Sequence, residues 1–99
     1  MRHIIYFNAA QNMSQINDNS IDMIVTSPPY PMIEMWDDIF AAQNPDIRTA
    51  FKQNKPRTAF ELMHKELDKV WSECWRVLKE GSFMCINIGD ATRTVNGEF

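Results

Sequence analysis

Residues 21–30 read IDMIVTSPPY, an apolar run that stops at two consecutive prolines. The apolar part, Ile21–Thr26, is rich in aliphatic side chains, which favours a parallel strand covered on both faces. Proline cannot donate a hydrogen bond to a sheet ladder, so we expect the strand to end before Pro28. The sequence therefore predicts a buried strand that leads directly into a rigid turn and an aromatic side chain, Tyr30.

The segments around this strand predict two more strands and a short helix. Residues 3–7 and 83–88 are apolar and partly β-branched, as buried strands are. Residues 9–16 carry apolar side chains at helical spacing, and the polar run 17–20 is typical of a turn. We therefore expect about three strands, the first two joined by the short helix.

The clearest helical pattern spans residues 59–79. Its apolar residues step by three and four positions and so share one face; they are Phe60, Met63, Leu67, Trp71, Cys74 and Leu78. Core packing, rather than a ligand site, is the favoured interpretation of this stripe and of Trp75. The residues expected at the helix ends are Thr58 and Glu61 in a capping box, Arg76 and Lys79 in the last turn, and Gly81 in a left-handed conformation after it.

Two shorter helices are expected between the strand at residues 21–26 and the long helix. Apolar residues at helical spacing between Met32 and Phe40 predict one of them. The dipeptide Asn44-Pro45 predicts the start of the other, with Asn44 as its cap. This order of elements predicts an α/β fold, a partial doubly wound, Rossmann-like sheet with one long helix and shorter helices.

The predicted fold also indicates where a ligand would bind. In doubly wound sheets, ligands collect at the carboxyl ends of the strands. Three places follow predicted strands here: Asn8, residues 27–30, and Gly89-Asp90. We therefore expect these residues to lie close together at one edge of the sheet.

Length and composition exclude several classes of protein. A chain of 99 residues forms at most one small domain. The apolar fraction of 44% and the aromatic fraction of 11% exclude a disordered, collagen-like or disulfide-scaffold chain. No apolar run approaches the roughly 20 residues that span a bilayer, and the first residues lack the features of a signal peptide. The expectation is a cytoplasmic protein without a membrane partner.

The cysteines do not predict a metal site. Cys74 and Cys85 match no zinc spacing, and His3 and His64 do not complete one. The favoured interpretation is two small apolar core residues, with no metal expected.

The charge pattern leaves two interpretations open. The formal net charge is −3, which argues mildly against binding nucleic acid through bulk positive charge. Four cations nevertheless fall within a short segment that contains no acid: Arg48, Lys52, Lys55 and Arg57. This cation cluster is either a solvated face or a contact surface for phosphates.

The turn after the apolar strand has a chemistry of its own. Two prolines fix the backbone and leave carbonyl groups without a competing local N–H. A rigid set of acceptors beside an aromatic ring suits a flat group that bears an amino function. An ordinary proline turn is the alternative interpretation of Ser27-Pro28-Pro29-Tyr30.

Residues 21–30 resemble the fourth motif of DNA amino-methyltransferases, whose consensus is [DNS]-P-P-[YFW]. Residues 75–83, WRVLKEGSF, are similar to the R-V-L-K-x-G-G segment that joins the next helix and strand in these enzymes. Residues 19–22 match the turn that usually precedes the motif strand. Together these matches cover most of residues 1–90 in the right order and at the right spacing.

The resemblance implies a DNA substrate, S-adenosylmethionine as cofactor, and a site at Ser27, Pro28, Pro29 and Tyr30. In this family the target base is flipped out of the duplex, and its amino group donates to the Ser27 side chain and the Pro28 carbonyl. Tyr30 would stack on the base. S-P-P-Y members usually methylate cytosine N4, whereas D-P-P-Y usually marks adenine N6, so cytosine is expected and adenine stays open.

Two departures from the family pattern define what is expected of this chain. Relatives place Gly-Asp at the end of the first strand, where this chain has Phe7-Asn8, so Asn8 would face the cofactor without a charge. The glycine-rich loop F-x-G-x-G does not occur. Residues 1–99 are therefore expected to be the amino-terminal, target-base half of a catalytic domain, without the cofactor loop and the target-recognition region.

Three possibilities follow for the role of the chain. It is expected to be part of a restriction–modification methyltransferase, either truncated or split, with a second chain that carries the cofactor loop. Because catalysis needs both pockets, no activity is expected from these residues alone. The alternative from another class is a non-catalytic remnant or interaction module.

Overall fold

Two parallel strands joined by a helical crossover form the fold of residues 2–89, the part of the chain that the computed structural model describes. The elements are β1 (Ile21–Thr26), a 3-10 turn (Glu34–Trp36), α1 (Asp37–Gln43), α2 (Asp46–Lys52), α3 (Pro56–Val77) and β2 (Leu78–Ile86). Parallel strands require a crossover of at least a dozen residues, and here the three helices provide it. The α/β class is confirmed, with two strands in the described residues.

The strand β1 has the predicted bounds, but its predicted burial is wrong. Met23 lies opposite Phe83, and Val25 lies opposite Cys85. Because side chains alternate across a strand, these four share one face of the sheet. Val25 is 71% exposed and Phe83 is 75% exposed, and Met23 and Cys85 are exposed as well. We call this set, Met23, Val25, Phe83 and Cys85, the open sheet face.

The start of α3 differs from the prediction. The helix begins at Pro56, because proline is favoured in a first helical turn, where its missing N–H costs nothing. Thr58 and Glu61 therefore lie inside the helix, and the predicted capping box is wrong.

The end of α3 differs as well. It ends at Val77, and Leu78, with ψ of 136°, enters β2 at once. Gly81 has φ of 79°, the predicted left-handed conformation, but it lies inside β2, next to an irregularity in the strand register. Lys79 lies in β2 too, where its Nζ donates to Asp22 at 2.8 Å.

The core lies between α3 and the shorter helices. Its centre consists of Met32, Phe40, Ile47, Met63 and Leu67. Phe60 and Trp71 pack against it, so the apolar stripe predicted for the long helix is confirmed except at Leu78, which lies in β2. Trp75 is 85% exposed and Cys85 is exposed, so the core placement predicted for these two residues is wrong. Only side chains on the inner face of α3 meet the other helices.

Both of the predicted shorter helices are present, and each begins later in the chain than predicted. Met32 has φ of 68° and lies in a turn, so the first helix begins later, through the 3-10 turn into α1. The second helix begins at Asp46, one residue later than predicted, and the Asn44 side chain accepts the N–H of Asp46 at 3.0 Å. Asn44 therefore satisfies one of the free N–H groups at the start of α2.

The elements predicted before β1 are not formed. Residues 3–7 form no strand and are all exposed, with Phe7 97% exposed. An apolar run becomes a strand only when another strand pairs with it, and within the described residues the sheet contains only β1 and β2. Residues 9–16 form two separate turns rather than a helix. The turn at 17–20 is confirmed, with Asn19 at φ of 52°.

Two further features concern the described residues as a whole. Within residues 2–89, no helix has both the length and the apolar character to cross a bilayer. Over the same residues, no group of three or more His, Cys, Asp or Glu side chains is arranged to hold a metal ion.

Candidate functional site

The residues after β1 form a turn at the carboxyl end of the sheet. Pro28 is buried, Pro29 and Tyr30 are half-buried, and Ser27 is exposed. The Asn87 N–H donates to the Thr26 carbonyl at 2.9 Å, so the ends of β1 and β2 stay side by side. The motif is therefore fixed at the edge of the sheet where the α/β prediction located a ligand site.

Tyr30 contacts the backbone that follows β2. A Cβ atom added to Gly89 would lie 3.0 Å from both Cδ2 and Cε2 of the Tyr30 ring. Such a contact is tighter than van der Waals packing allows, so only glycine leaves the ring undisturbed. The predicted convergence of the motif with Gly89 is confirmed, whereas Asp90 lies outside the described residues.

The two hydroxyl groups of the motif approach each other. Ser27 Oγ lies 3.4 Å from the Tyr30 hydroxyl oxygen. This distance is longer than that of a typical O–H···O hydrogen bond, which is about 2.7–2.8 Å. This weak contact leaves the exposed Ser27 oxygen able to accept a hydrogen bond from another group. The ring of Tyr30 provides a flat apolar surface beside it.

A cavity of about 250 Å³ lies beside the motif. One wall is the motif itself, from Thr26 to Pro29, and another is the segment Ala9, Ala10 and Gln11. The remaining lining residues come from the helices: Phe40, Gln43, Leu67 and Val70. The cavity is thus formed by residues from four separate stretches of the chain.

Asn8 directly precedes this wall. Its side-chain oxygen accepts the N–H of Ala9 at 3.1 Å, and residues 2–10 are all exposed. A cofactor the size of S-adenosylmethionine needs an enclosed pocket with several polar partners. The residues around Asn8 do not form one, so they do not fit the cofactor by themselves.

Family comparison matches residues 21–97 to a family described as DNA methylase. The match begins at β1 and includes the motif, α3 and β2. The chain belongs to this DNA methylase family.

Two relatives of this chain are named as Type II methyltransferases. The Type II methyltransferase M.MthZI of Methanothermobacter thermautotrophicus is 46% identical over 98 residues, which is 98% of this chain and 28% of the relative. The Type II methyltransferase M.MjaI of Methanocaldococcus jannaschii is 44% identical over 108 residues, or 98% of this chain and 36% of the relative. The chain thus spans about a third of the length of these relatives. No solved structure matches it.

Sequence reasoning missed the role of Arg76 and Glu73. Arg76 was expected only to lie in the last turn of a helix, which it does. Its guanidinium group also donates to Met13, Ile16 and Asp18, some sixty residues earlier in the chain. The relevant signal in the sequence was the R-V-L-K match, which marks the arginine but not its partners.

The Arg76 contact lowers the pKa of Glu73. The guanidinium group of Arg76 and, second, the N–H of Met13 stabilise the ionised carboxylate. A folded-state pKa below the unfolded value stabilises the protein above the unfolded pKa, and this contribution is lost as the pH falls through the folded pKa.

We therefore expect Glu73→Gln to flatten the acid side of the stability profile. Between pH 7 and pH 3, the thermal midpoint of the unmodified chain should fall more steeply below about pH 4.3, the ordinary glutamate pKa, than that of the variant. At pH 7 the variant should be the less stable of the two. Glu61→Gln, an exposed change in the same helix, is the control. Parallel profiles for Glu73→Gln and the unmodified chain would contradict the expectation.

Proposed function

We propose that residues 27–30 form the target-base pocket of a site-specific DNA amino-methyltransferase of a restriction–modification system. The observation that carries the proposal is the position of Ser27 and Tyr30 at the carboxyl end of β1, with the Tyr30 ring against Gly89. Membership of the DNA methylase family supports it, as do the Type II methyltransferase names of the relatives.

The chemistry proposed for these residues is binding and orientation. An exocyclic amine is a poor nucleophile, because its lone pair is delocalised into the ring of the base. A flipped base would donate its two amino hydrogens to Ser27 Oγ and the Pro28 carbonyl, which favours a pyramidal nitrogen. Tyr30 would hold the plane of the base by stacking. Pro29 restricts the backbone dihedral angle and so fixes the turn.

Cytosine N4 is the proposed target atom. Ser27 offers a neutral hydroxyl, as in the S-P-P-Y members of the family that usually act on cytosine. Adenine N6 is the alternative, and the identity of the methylated base in the product decides between them.

We further propose that another polypeptide segment holds S-adenosylmethionine, which supplies the methyl group. The F-x-G-x-G loop does not occur in residues 1–99, and the surroundings of Asn8 do not enclose a cofactor. Both relatives are about three times as long as the matched region, since this chain covers 28% and 36% of them. The open sheet face is the proposed docking surface for that segment, because it is apolar, exposed and next to the motif strand.

The deciding experiment is methyl transfer from labelled S-adenosylmethionine to DNA. It compares this chain alone with this chain plus a polypeptide that carries an F-x-G-x-G loop. That polypeptide is the product of an adjacent reading frame or the part of M.MthZI that this chain does not match. Activity only in the mixture, with N4-methylcytosine in the digested DNA, is the expected result. N6-methyladenine would select the alternative target, and no transfer in any mixture would favour a non-catalytic interaction module.

The docking surface yields a prediction of its own. Phe83→Ser should weaken binding of the cofactor-bearing polypeptide at least about tenfold, because exposed aromatic anchors dominate interface energies. Trp75→Ser is the matched control, since Trp75 is 85% exposed but lies outside the open sheet face. Binding is measured by titration calorimetry. Equal losses for the two variants, or none for Phe83→Ser, would exclude the open sheet face as the docking surface.

A further inference from the structure

The guanidinium group of Arg76 makes five hydrogen bonds. Nε and Nη2 donate to the two carboxylate oxygens of Glu73 at 2.9 and 3.0 Å. Nη1 donates to the Ile16 carbonyl at 2.9 Å and to Asp18 at 2.7 Å, and Nη2 donates to the Met13 carbonyl at 2.8 Å. Arginine carries five N–H donors in a rigid fork, so this group is used to its full capacity.

Glu73 completes the arrangement from the other side. Its Oε2 accepts the N–H of Met13 at 2.6 Å, so Glu73 holds the N–H of Met13 and Arg76 holds its carbonyl. The backbone carbonyl of Arg76 also accepts the N–H of Asn19 at 2.9 Å. We call the Glu73–Arg76 pair with these contacts the α3 clamp. Charge-assisted hydrogen bonds of this kind are short and strong.

The segment held by the α3 clamp has little other order. Residues 9–18 contain no helix or strand, and their internal backbone bonds are the two turns that end at Asn12 and Ile16. The same segment begins with Ala9, Ala10 and Gln11, which line the same cavity as Ser27 and Pro28. The position of this wall therefore depends on contacts made several residues further along, at the end of α3.

We infer that Glu73 and Arg76 are positioning residues that hold the wall formed by Ala9, Ala10 and Gln11 against the base pocket. The inference rests on the proposed function for the identity of the pocket, but the clamp itself is a feature of the fold. Arg76 lies two residues before β2, and the backbone that follows β2 contains Gly89, which lies against the Tyr30 ring. The last turn of α3 is thus linked both to the segment that contains Ala9, Ala10 and Gln11 and to β2, which leads to Gly89.

An alternative role for Glu73 and Arg76 is a simple ion pair within α3, since they are three residues apart on one helix. The double variant Glu73→Arg/Arg76→Glu separates the two roles. It keeps the ion pair in the helix but removes the donors that hold the carbonyls of Met13 and Ile16. A helix ion pair would survive the exchange, whereas the α3 clamp would not.

The first readout is amide hydrogen exchange on the full chain. Arg76→Ala and Glu73→Arg/Arg76→Glu should speed exchange in residues 9–18 at least about tenfold, while exchange in the middle of α3 stays unchanged. Arg48→Ala is the control, because Arg48 also pairs with an acid, Asp38, at 2.9 Å, but on an exposed surface. Unchanged exchange in residues 9–18, or full protection in the double variant, would overturn the inference.

The second readout is methyl transfer in the presence of the cofactor-bearing polypeptide. Both clamp variants should lower kcat/KM for DNA by on the order of tenfold to a hundredfold, because a small displacement of a pocket wall misplaces the reacting group. Faster exchange with an unchanged kcat/KM would overturn the positioning role. Lack of transfer by the unmodified chain would instead count against the proposed function, and the exchange result would still decide whether the α3 clamp exists.

Discussion

Replacing Tyr30 with alanine is expected to lower kcat/KM for methyl transfer about 5- to 150-fold when the cofactor-bearing polypeptide is present. Stacking of a base on an aromatic side chain contributes about 1–3 kcal/mol, and each 1.36 kcal/mol corresponds to about tenfold in rate. The variant also removes the ring that contacts Gly89, so the turn after β1 loses its support from β2. The measurement is a steady-state assay with labelled S-adenosylmethionine over a range of DNA concentrations.

Tyr30→Phe is the matched control for this experiment. It keeps the ring and its contact with Gly89 and removes only the hydroxyl, which lies 3.4 Å from Ser27. A contact of that length is weak, so the variant should keep most of its activity. If Tyr30→Ala were as active as the unmodified chain, Tyr30 would not stack on the target base. Equal losses in both variants would assign the role to the hydroxyl instead.

The parts of the fold that were predicted correctly are those specified by local physics. The bounds of β1 followed from an apolar run that stops shortly before Pro28, because a proline has no N–H to donate to the sheet ladder. The stripe of α3 followed from its spacing, since side chains three and four residues apart share one face. Asn44 followed from the preference for a short polar side chain at the start of a helix. In each case the deciding interaction lies within a few residues.

The predictions that were wrong depended on partners elsewhere in the chain. Residues 3–7 have the composition of a strand, but a strand exists only if another strand pairs with it, and in the described residues these five pair with neither β1 nor β2. The strand β1 was expected to be covered on both faces, but its residue Val25 is 71% exposed. The capping box at Thr58 was displaced by a stronger local signal, Pro56, which starts the helix earlier.

In the candidate site, too, the residues specified by local sequence were predicted and the contacts of the α3 clamp with distant residues were not. Ser27 to Tyr30 could be located from the motif alone, and their meeting with Gly89 followed from the rule that ligands collect at the carboxyl ends of parallel strands. The α3 clamp could not be predicted, because Arg76 and Met13 are 63 residues apart and no local pattern links them. Phosphate binding by the cation cluster also stays a prediction, and within the cluster Arg48 pairs with Asp38.

The largest effect on stability is expected for Phe40→Ala. Phe40 is 1% exposed, lies in the core with Met63 and Leu67, and also lines the cavity beside the motif. Truncation of a buried phenylalanine costs about 3–5 kcal/mol, because apolar contacts are lost and a void is left. Domains have total stabilities of about 5–15 kcal/mol, so the variant should lose a large part of its folding free energy. The measurement is urea unfolding followed by circular dichroism.

Ile39→Ala provides the matched control, because Ile39 is the preceding residue of α1 and is 42% exposed. The side chain that points outward should cost less than about 1 kcal/mol, since surface changes away from special features have small effects. A large difference between the two adjacent positions would establish which face of α1 meets the core. It would also support the position of Phe40 in the cavity that Pro28 and Pro29 line. Equal losses at both positions would mean that α1 does not pack as described, and that Phe40 does not line the cavity beside the motif.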